Sequence, residues 1–209
     1  MVAPAQKPPR DRRRDAIIEV ARELFFEEGY AAASMSSIAA RLGGSKGTLY
    51  NYFRSKEELF EAQVRKDCER IAHDAFDMLQ SAESPIEDVL TELGVRYLTH
   101  IFSDWAIRTY RVVVAEAIRS PQLARIFYEN GPAVGLRRLE AYLEDARAKG
   151  TIKLDDCAMG AGEFLTLCRG HQHFMYTLNL EFAPNPDQMR TQARHAVALF
   201  LRSYGEYTL

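Results

Sequence analysis

The apolar residues of this chain recur every three or four positions almost from end to end, and this spacing constrains the fold more than any other feature. One such stripe lies between residues 11 and 28, at positions i, i+4, i+7 and i+8: Ile17, Ala21, Leu24 and Phe25. No segment shows the sustained apolar–polar alternation that a half-buried strand requires. The sequence therefore predicts an all-α fold.

Helix ends are marked by capping residues. Ser34 and Ser45 are predicted to cap two short helices, and Gly43 with Gly44 ends the first of them. Ser55 and Glu58 have the spacing of a capping box, which predicts a long helix from Lys56 to about Gln80. Further helices are predicted over about 132–149, 155–180 and 186–205, the last of them capped by Asn185 before a proline.

Charge is distributed unevenly along the chain. Residues 1–56 carry ten Lys and Arg against six Asp and Glu, a net charge of +4, whereas the remainder has a net charge of −6. A basic segment on an acidic body indicates that one end of the molecule meets a polyanion. Four arginines precede the first apolar stripe, and they are either a solvated helix start or contacts to phosphate: Arg10, Arg12, Arg13 and Arg14.

Composition excludes several other classes of protein. Residues 1–10 contain three prolines and no apolar run, so we expect a disordered tail and no secretory signal there. No stretch approaches the roughly 20 apolar residues that a membrane helix needs. We therefore expect a cytoplasmic protein with no membrane partner. Cys68, Cys157 and Cys168 lack metal-ligand spacing, and we interpret them as buried free thiols.

Residues 34–56 hold the pattern that points most directly to a function. Two short helices around a glycine-containing turn are typical of a helix-turn-helix, whose second helix enters the major groove of DNA. Apolar residues would hold the pair onto the first helix, and the remaining side chains would face outward or lie at the edge. We predict that the following residues contact DNA bases or phosphates: Ser36, Lys46, Gly47, Thr48, Tyr50, Asn51, Tyr52 and Lys56.

The same stretch resembles the DNA-binding signature of the TetR family. The resemblance covers roughly residues 14–62 and rests on Ile38-Ala39, Gly43, the run 45–53 and the run 55–59. Gly44 departs from the pattern, because the family usually has an apolar residue there. Residues 114–132 resemble a narrower group, the AefR-like regulators. The resemblance implies a homodimer on a near-palindromic operator, with the rest of the chain acting as a sensor domain.

We accordingly divide the chain into a tail (1–10), a helix-turn-helix domain (11–55) and a helical ligand-binding and dimerisation domain (56–209). The helices at about 155–180 and 186–205 are predicted to form the dimer interface as a four-helix bundle. A small hydrophobic or aromatic effector is expected to release the DNA. The candidate pocket residues combine aromatic, sulfur and polar side chains: Trp105, Tyr110, Phe127, Cys168, His171 and Met175.

Other chemistries fit the sequence less well. His171 and His173 lie two positions apart and so point to different helix faces, and we predict no metal site and no cofactor. Gly160-Ala161-Gly162 lacks the third glycine of a dinucleotide site and indicates close helix packing. Residues 43–47 match the G-x-S-x-G elbow of serine hydrolases around Ser45, but that elbow needs a preceding strand. The remaining alternative is a helical adaptor whose sensor domain binds a protein.

Overall fold

The computed structural model describes residues 9–71, 75–81 and 84–205, and every statement below refers to these residues. Ten α-helices are found in this part of the chain, in this order: α1 (Pro9–Glu27), α2 (Met35–Arg41), α3 (Lys46–Tyr50), α4 (Lys56–Ile71), α5 (Ile86–Ile101), α6 (Asp104–Glu116), α7 (Pro121–Asn130), α8 (Pro132–Ala148), α9 (Cys157–Thr177) and α10 (Pro186–Tyr204). A short 3₁₀ helix spans Asp77–Ser81. Within the described ranges the only β-type pairing is an isolated antiparallel bridge between Ile152 and Gly205. The all-α prediction is confirmed.

Several predicted boundaries need correction. Helix α1 begins at Pro9, and residues 1–8 of the tail predicted over residues 1–10 lie outside the described part. The helix expected to reach Gln80 is α-helical to Ile71, and the chain adopts the 3₁₀ form over Asp77–Ser81. The helix predicted to begin at about residue 155 begins at Cys157, and it is capped by Asp156, whose carboxylate accepts a hydrogen bond from the amide of Met159 at 2.9 Å.

The described residues form two compact units. The first contains the chain up to Asp67 together with Thr109–Phe127, and the second contains Cys68–Arg108 and the chain from Tyr128 onward. This division differs from the linear boundary predicted at residue 56, because the first part of α4 and a segment spanning parts of α6 and α7 group with the helix-turn-helix. The reason is tertiary packing, which brings together segments that are distant in sequence.

An aromatic core holds the first unit together. Phe25, Tyr30 and Phe60 are buried and pack ring against ring, with centroids 5.2 to 6.0 Å apart and mostly in edge-on orientations. The stripe predicted on α1 lies in this core, since its four members are all at most 2% exposed. Ion pairs from Lys66 on α4 to Asp15 and Glu19 on α1 add a polar rim.

The second unit is built around α5, α8, α9 and α10. Its core includes Phe164 of α9 and Phe200 of α10, whose rings meet edge-on with centroids 5.4 Å apart. Helices α5 and α10 approach closely at Gly94, where an added Cβ would lie 2.9 Å from the Cβ of Ala193. A larger residue at position 94 would therefore force these helices apart.

Helix α9 is kinked, which the sequence analysis did not anticipate. Gly170 has φ +58° and ψ −169°, so the helix predicted to run unbroken to about residue 180 is interrupted. The carbonyl of Leu167, which a regular helix would pair with the amide four residues on, accepts a hydrogen bond from Nε2 of Gln192 at 2.8 Å. A side chain from α10 thus satisfies the backbone group at the kink.

Candidate nucleic-acid interface

Helices α2 and α3 form the helix-turn-helix, and both begin with a serine cap. The Oγ of Ser34 accepts a hydrogen bond from the amide of Ser37 at 3.1 Å, and the Oγ of Ser45 accepts one from the amide of Thr48 at 3.1 Å. In the turn between them Gly43 has φ +64°, a conformation that favours glycine. The predicted caps and the predicted stop are therefore all present.

The inner face of this pair is apolar and buried. Ile38 and Ala39 of α2 are at most 3% exposed, and Leu49 of α3 and Phe53 just after it are at most 2% exposed. Because these side chains contribute to the core of the first unit, the orientation of α3 is determined by packing. The packing of the inner face therefore also fixes which side of α3 is exposed to solvent.

The outer face of α3 carries the side chains predicted to contact DNA. Lys46, Gly47, Thr48 and Asn51 are exposed, and Tyr50 is 49% exposed. Ser36 is exposed on α2, whereas Tyr52 is half-buried. A Cβ added at Gly47 would meet only the Oγ of Ser45, at 3.7 Å, so the backbone of α3 is accessible at this point.

Thr48 has a second contact that the sequence did not reveal. Its hydroxyl lies 3.0 Å from the Oγ of Ser45, so it belongs to the hydrogen-bonded cap of α3. A hydroxyl has one proton and two acceptor lone pairs, so Thr48 keeps the capacity for a further hydrogen bond. The cap restricts the directions in which that bond can form.

Lys56 lies in a different environment from the one predicted. Its ammonium group donates to the carbonyl oxygens of Tyr30 at 2.6 Å and Ala33 at 3.0 Å, with Ala31 at 3.5 Å. The same nitrogen lies 4.2 Å from the centroid of the Tyr30 ring. These contacts to loop carbonyls join Lys56, at the start of α4, to the loop after α1.

Tyr30 and Glu57 complete this junction. The phenol of Tyr30 donates to a carboxylate oxygen of Glu57 at 3.2 Å. Burial, reinforced by the negative charge of Glu57, raises the pKa of Tyr30, so the phenol stays protonated and remains a donor. The first turn of α4 is therefore attached to the loop between α1 and α2 by charged and neutral hydrogen bonds.

The candidate pocket residues are divided between the two units. In the first unit the rings of Tyr110 and Phe127 lie 6.3 Å apart, and both are partly buried. In the second unit Trp105 packs against His100 with ring centroids 5.6 Å apart. Met175 is partly buried on α9. The structure thus pairs two of the six candidates directly.

Cys168 and His171 have contrasting positions on α9. Cys168 is fully buried, and its Sγ would lie 3.3 Å from a Cβ added at Gly94 of α5. Burial raises the pKa of Cys168 to about 12, which keeps the thiol protonated and unreactive. His171 is exposed and packs against Phe174, with ring centroids 5.9 Å apart. Cys168 is therefore a packing residue of the core in this structure.

The sequence analysis missed two buried polar side chains. Gln63 on α4 and Thr109 on α6 are each 1% exposed, and neither the amide atoms of Gln63 nor the hydroxyl of Thr109 has a hydrogen-bond partner among the described residues. Both belong to the first unit. The position of Gln63 directly before Val64 on the apolar stripe of α4 does not by itself indicate burial. Because buried polar groups are nearly always paired, these two call for a partner.

The alternative chemistries find no geometric support. Ser45 lies in a turn between two helices, with no strand leading into it, and its Oγ is engaged in the cap of α3. No group of three or more potential metal ligands occurs in the described ranges. Gly160 packs inside the chain, since an added Cβ would clash with the side chain of Leu154, whereas Gly162 faces open space. No helix of the described part has the length and apolarity needed to cross a membrane.

Comparison with known proteins gives a consistent result. Residues 17–63 match the model for bacterial regulatory proteins of the tetR family, and residues 88–206 match the C-terminal domain of AefR-like transcriptional repressors. The transcriptional regulator UidR of Escherichia coli K12 is 32% identical over 163 residues, which cover 75% of this chain and 78% of UidR.

Solved structures agree along nearly the whole chain. A TetR-family regulator from Mesorhizobium loti superposes with a TM-score of 0.83 at 25% identity, covering 96% of this chain and all of that one. The flavonoid-responsive regulator FrrA superposes with a TM-score of 0.80 at 32% identity, covering 95% and 100% of the two chains. Members of this family regulate transcription and are not enzymes, which excludes the hydrolase alternative. The chain belongs to the TetR family of bacterial transcription regulators.

Proposed function

We propose that this protein is a repressor that binds a palindromic operator as a homodimer and is released by a small hydrophobic or aromatic effector. The observation that carries the proposal is the two-sided character of α3. Leu49 anchors its inner face at 2% exposure, while Lys46, Gly47 and Thr48 stand exposed on the other side. A short rigid helix with an accessible backbone and hydrogen-bonding side chains suits the major groove.

The proposed dimer uses α9 and α10, which correspond to the helices predicted at 155–180 and 186–205. Large apolar side chains are exposed on α9 and in the segment after it: Met159, Phe174, Leu178, Leu180 and Phe182 are 52% to 91% exposed. Exposed apolar side chains in such number favour a protein interface. A second copy related by two-fold symmetry would cover them and would present two α3 helices to successive major grooves.

The proposed effector is an apolar ring system with hydrogen-bonding groups. The relative FrrA, 32% identical, is described as flavonoid-responsive, and a flavonoid combines aromatic rings with hydroxyl groups. The side chains of Gln63 and Thr109, both in the first unit, offer both donors and acceptors to such a hydroxyl. Discrimination between candidate effectors would come from these few polar groups.

The first experiment is selection of a binding site from a random duplex pool, followed by fluorescence anisotropy over a salt series. We expect one palindromic consensus, bound far more tightly than scrambled duplex and weakened steeply by salt. Gly47→Ala should keep or slightly raise the melting temperature, since alanine favours helix, but should weaken operator binding because its methyl group projects from the exposed face. Arg137→Ala on α8 removes an exposed charge outside the helix-turn-helix and is the matched control.

Two further measurements separate the parts of the proposal. Phe174→Glu and Leu178→Glu should convert the dimer to a monomer in light scattering and abolish tight operator binding. A panel of flavones, flavanones and simple phenols should include compounds that raise the melting temperature and release the operator. A wild-type protein that binds no duplex from the pool would contradict the DNA-binding proposal and would favour the adaptor alternative.

A further inference from the structure

The turn between α2 and α3 contains a glycine that the backbone does not require. Gly43 has a positive φ, but Gly44 does not, so its conformation is open to other residues. A Cβ added at Gly44 would lie 3.5 Å from Nη2 of Arg13, at ordinary van der Waals contact. The space that a larger side chain would occupy is therefore next to the guanidinium of Arg13.

Arg13 reaches this turn along the inner face of α1. It lies one helical turn before Ile17, which is 1% exposed and packs in the core of the first unit. Arg13 and Ile17 line one shallow concavity together with Gly44, Ser45 and Thr48. Two exposed residues at the start of α3 thus share this concavity with the guanidinium, so Arg13 is at the edge of the surface proposed to meet DNA.

The charge of Arg13 is available for a ligand. Three other arginines of the first unit have partners: Arg41 pairs with Glu27 at 2.5 Å, Arg22 pairs with Glu19, and the guanidinium of Arg14 lies 4.9 Å from the centroid of the Phe53 ring. Arg13 is exposed and forms no ion pair with any residue in the described ranges. A guanidinium suits phosphate because its planar donors bind two oxygens at once.

We propose that Arg13 binds a backbone phosphate of the operator next to α3, and that Gly44 permits this contact by leaving room for the guanidinium. The contact rests on the proposed DNA binding and adds to it an element outside the helix-turn-helix. Since phosphates occur at every step of the duplex, Arg13 contributes affinity and register but no base preference. Arg13 and Gly44 therefore act as one functional pair.

The test compares full-length variants by anisotropy on the selected operator and on scrambled duplex, over a salt series. Arg13→Ala should lower the slope of log affinity against log salt by about 0.9 on both duplexes, the value for one lost phosphate contact. Arg12→Ala, which removes a neighbouring exposed charge that does not line the concavity, is the matched control and should change the slope less.

The role of Gly44 is tested by increasing the size of the side chain at position 44. Gly44→Ala should bind like the wild type because a Cβ fits at 3.5 Å, whereas Gly44→Val should displace the guanidinium and reproduce the loss seen in Arg13→Ala. The double variant Arg13→Ala with Gly44→Val should lose no more than Arg13→Ala alone. Circular dichroism melting confirms that each variant is folded.

The outcomes separate this inference from the proposal on which it depends. If the wild-type protein selects an operator but Arg13→Ala leaves the salt slope unchanged, or changes it no more than Arg12→Ala does, the phosphate contact of Arg13 is overturned. The proposed DNA binding would then stand. If Arg13→Ala weakens binding to the operator but not to scrambled duplex, Arg13 contacts bases, and the proposed contact to a phosphate is overturned. Wild-type protein that binds no duplex would overturn both.

Discussion

The two units of this molecule are determined by different kinds of sequence information. In the first unit the helix-turn-helix depends on local signals, namely the caps Ser34 and Ser45 and the turn glycine Gly43. In the second unit the helix boundaries are also local, but the packing depends on residues far apart in sequence, such as Gly94 of α5 against Ala193 of α10. A DNA-binding surface made of a few consecutive residues is therefore much easier to predict than a sensor domain.

The same contrast appears in how each unit supplies hydrogen-bond partners for the backbone groups that its helices leave unpaired. The ends of α2 and α3 are capped by side chains three residues away or closer. The kink of α9 at Gly170 is completed by Gln192, which is 25 residues from the Leu167 carbonyl that it binds. No local pattern predicts such a pairing, because it requires that α10 already lie against α9.

The largest effects are expected from emptying the core of each unit. Phe53 in the first unit and Phe164 in the second are fully buried, and replacement of either by alanine should cost about 3–5 kcal/mol of unfolding free energy. The measurement is urea denaturation followed by far-UV circular dichroism and by fluorescence of the single tryptophan, Trp105, which lies in the second unit.

We expect Phe164→Ala to shift the fluorescence midpoint more than Phe53→Ala does, since only the former empties the unit that contains Trp105. Equal shifts of the fluorescence transition would show that the two units unfold together. The contrast between local signals in the first unit and long-range packing in the second would then describe how the units are built, but the two units would not differ in stability.

An effect of intermediate size is expected from pH and is confined to the second unit. Burial, with a smaller contribution from Arg169, lowers the pKa of His173 from 6.5 to about 4, and its ring packs edge-on against Phe102. The folded protein therefore holds this histidine neutral, whereas the unfolded chain takes up a proton below pH 6.5. The stability contributed by this group is present above that pH and is lost as the pH falls toward 4.

The expected loss is about 2 kcal/mol between pH 7 and pH 5, measured as the change in unfolding free energy from urea titrations at each pH. His173→Leu should reduce this pH dependence, since leucine does not titrate. His171→Leu, which alters an exposed histidine on the same helix, is the matched control. An unchanged pH profile in His173→Leu would mean that other groups cause the loss.

The smallest effects are expected from a matched pair of helix caps. Ser34 caps α2 in the first unit and Asn185 caps α10 in the second, and both form capping boxes. Alanine at either position should cost about 1 kcal/mol of unfolding free energy, because one amide loses its partner. Operator affinity should fall only in Ser34→Ala, since only that cap belongs to the helix-turn-helix. A comparable loss of affinity in Asn185→Ala would show that the second unit controls the DNA-binding surface.

Periodicity and caps predicted most of the helices and the exposed face of α3, but not the environment of individual charged and polar side chains. Lys56 was expected to face phosphate, yet its ammonium group is directed at the carbonyls of Tyr30, Ala31 and Ala33. The loop that supplies those carbonyls lies more than 20 residues earlier in the chain. Gln63 was not noticed at all, because a single polar residue beside an apolar stripe gives no indication of its burial.

By itself, the sequence determined the all-α class, the position of the helix-turn-helix and the family. The reason is that hydrophobic periodicity, caps and turn glycines act within a few residues, where backbone geometry links sequence spacing directly to structure. Only the tertiary structure decided that Lys56 is a structural link, that Cys168 is core, that α9 bends at Gly170 and that Arg13 lies beside Gly44. Each of these depends on which distant segments come into contact, and that is set by the packing of the whole chain.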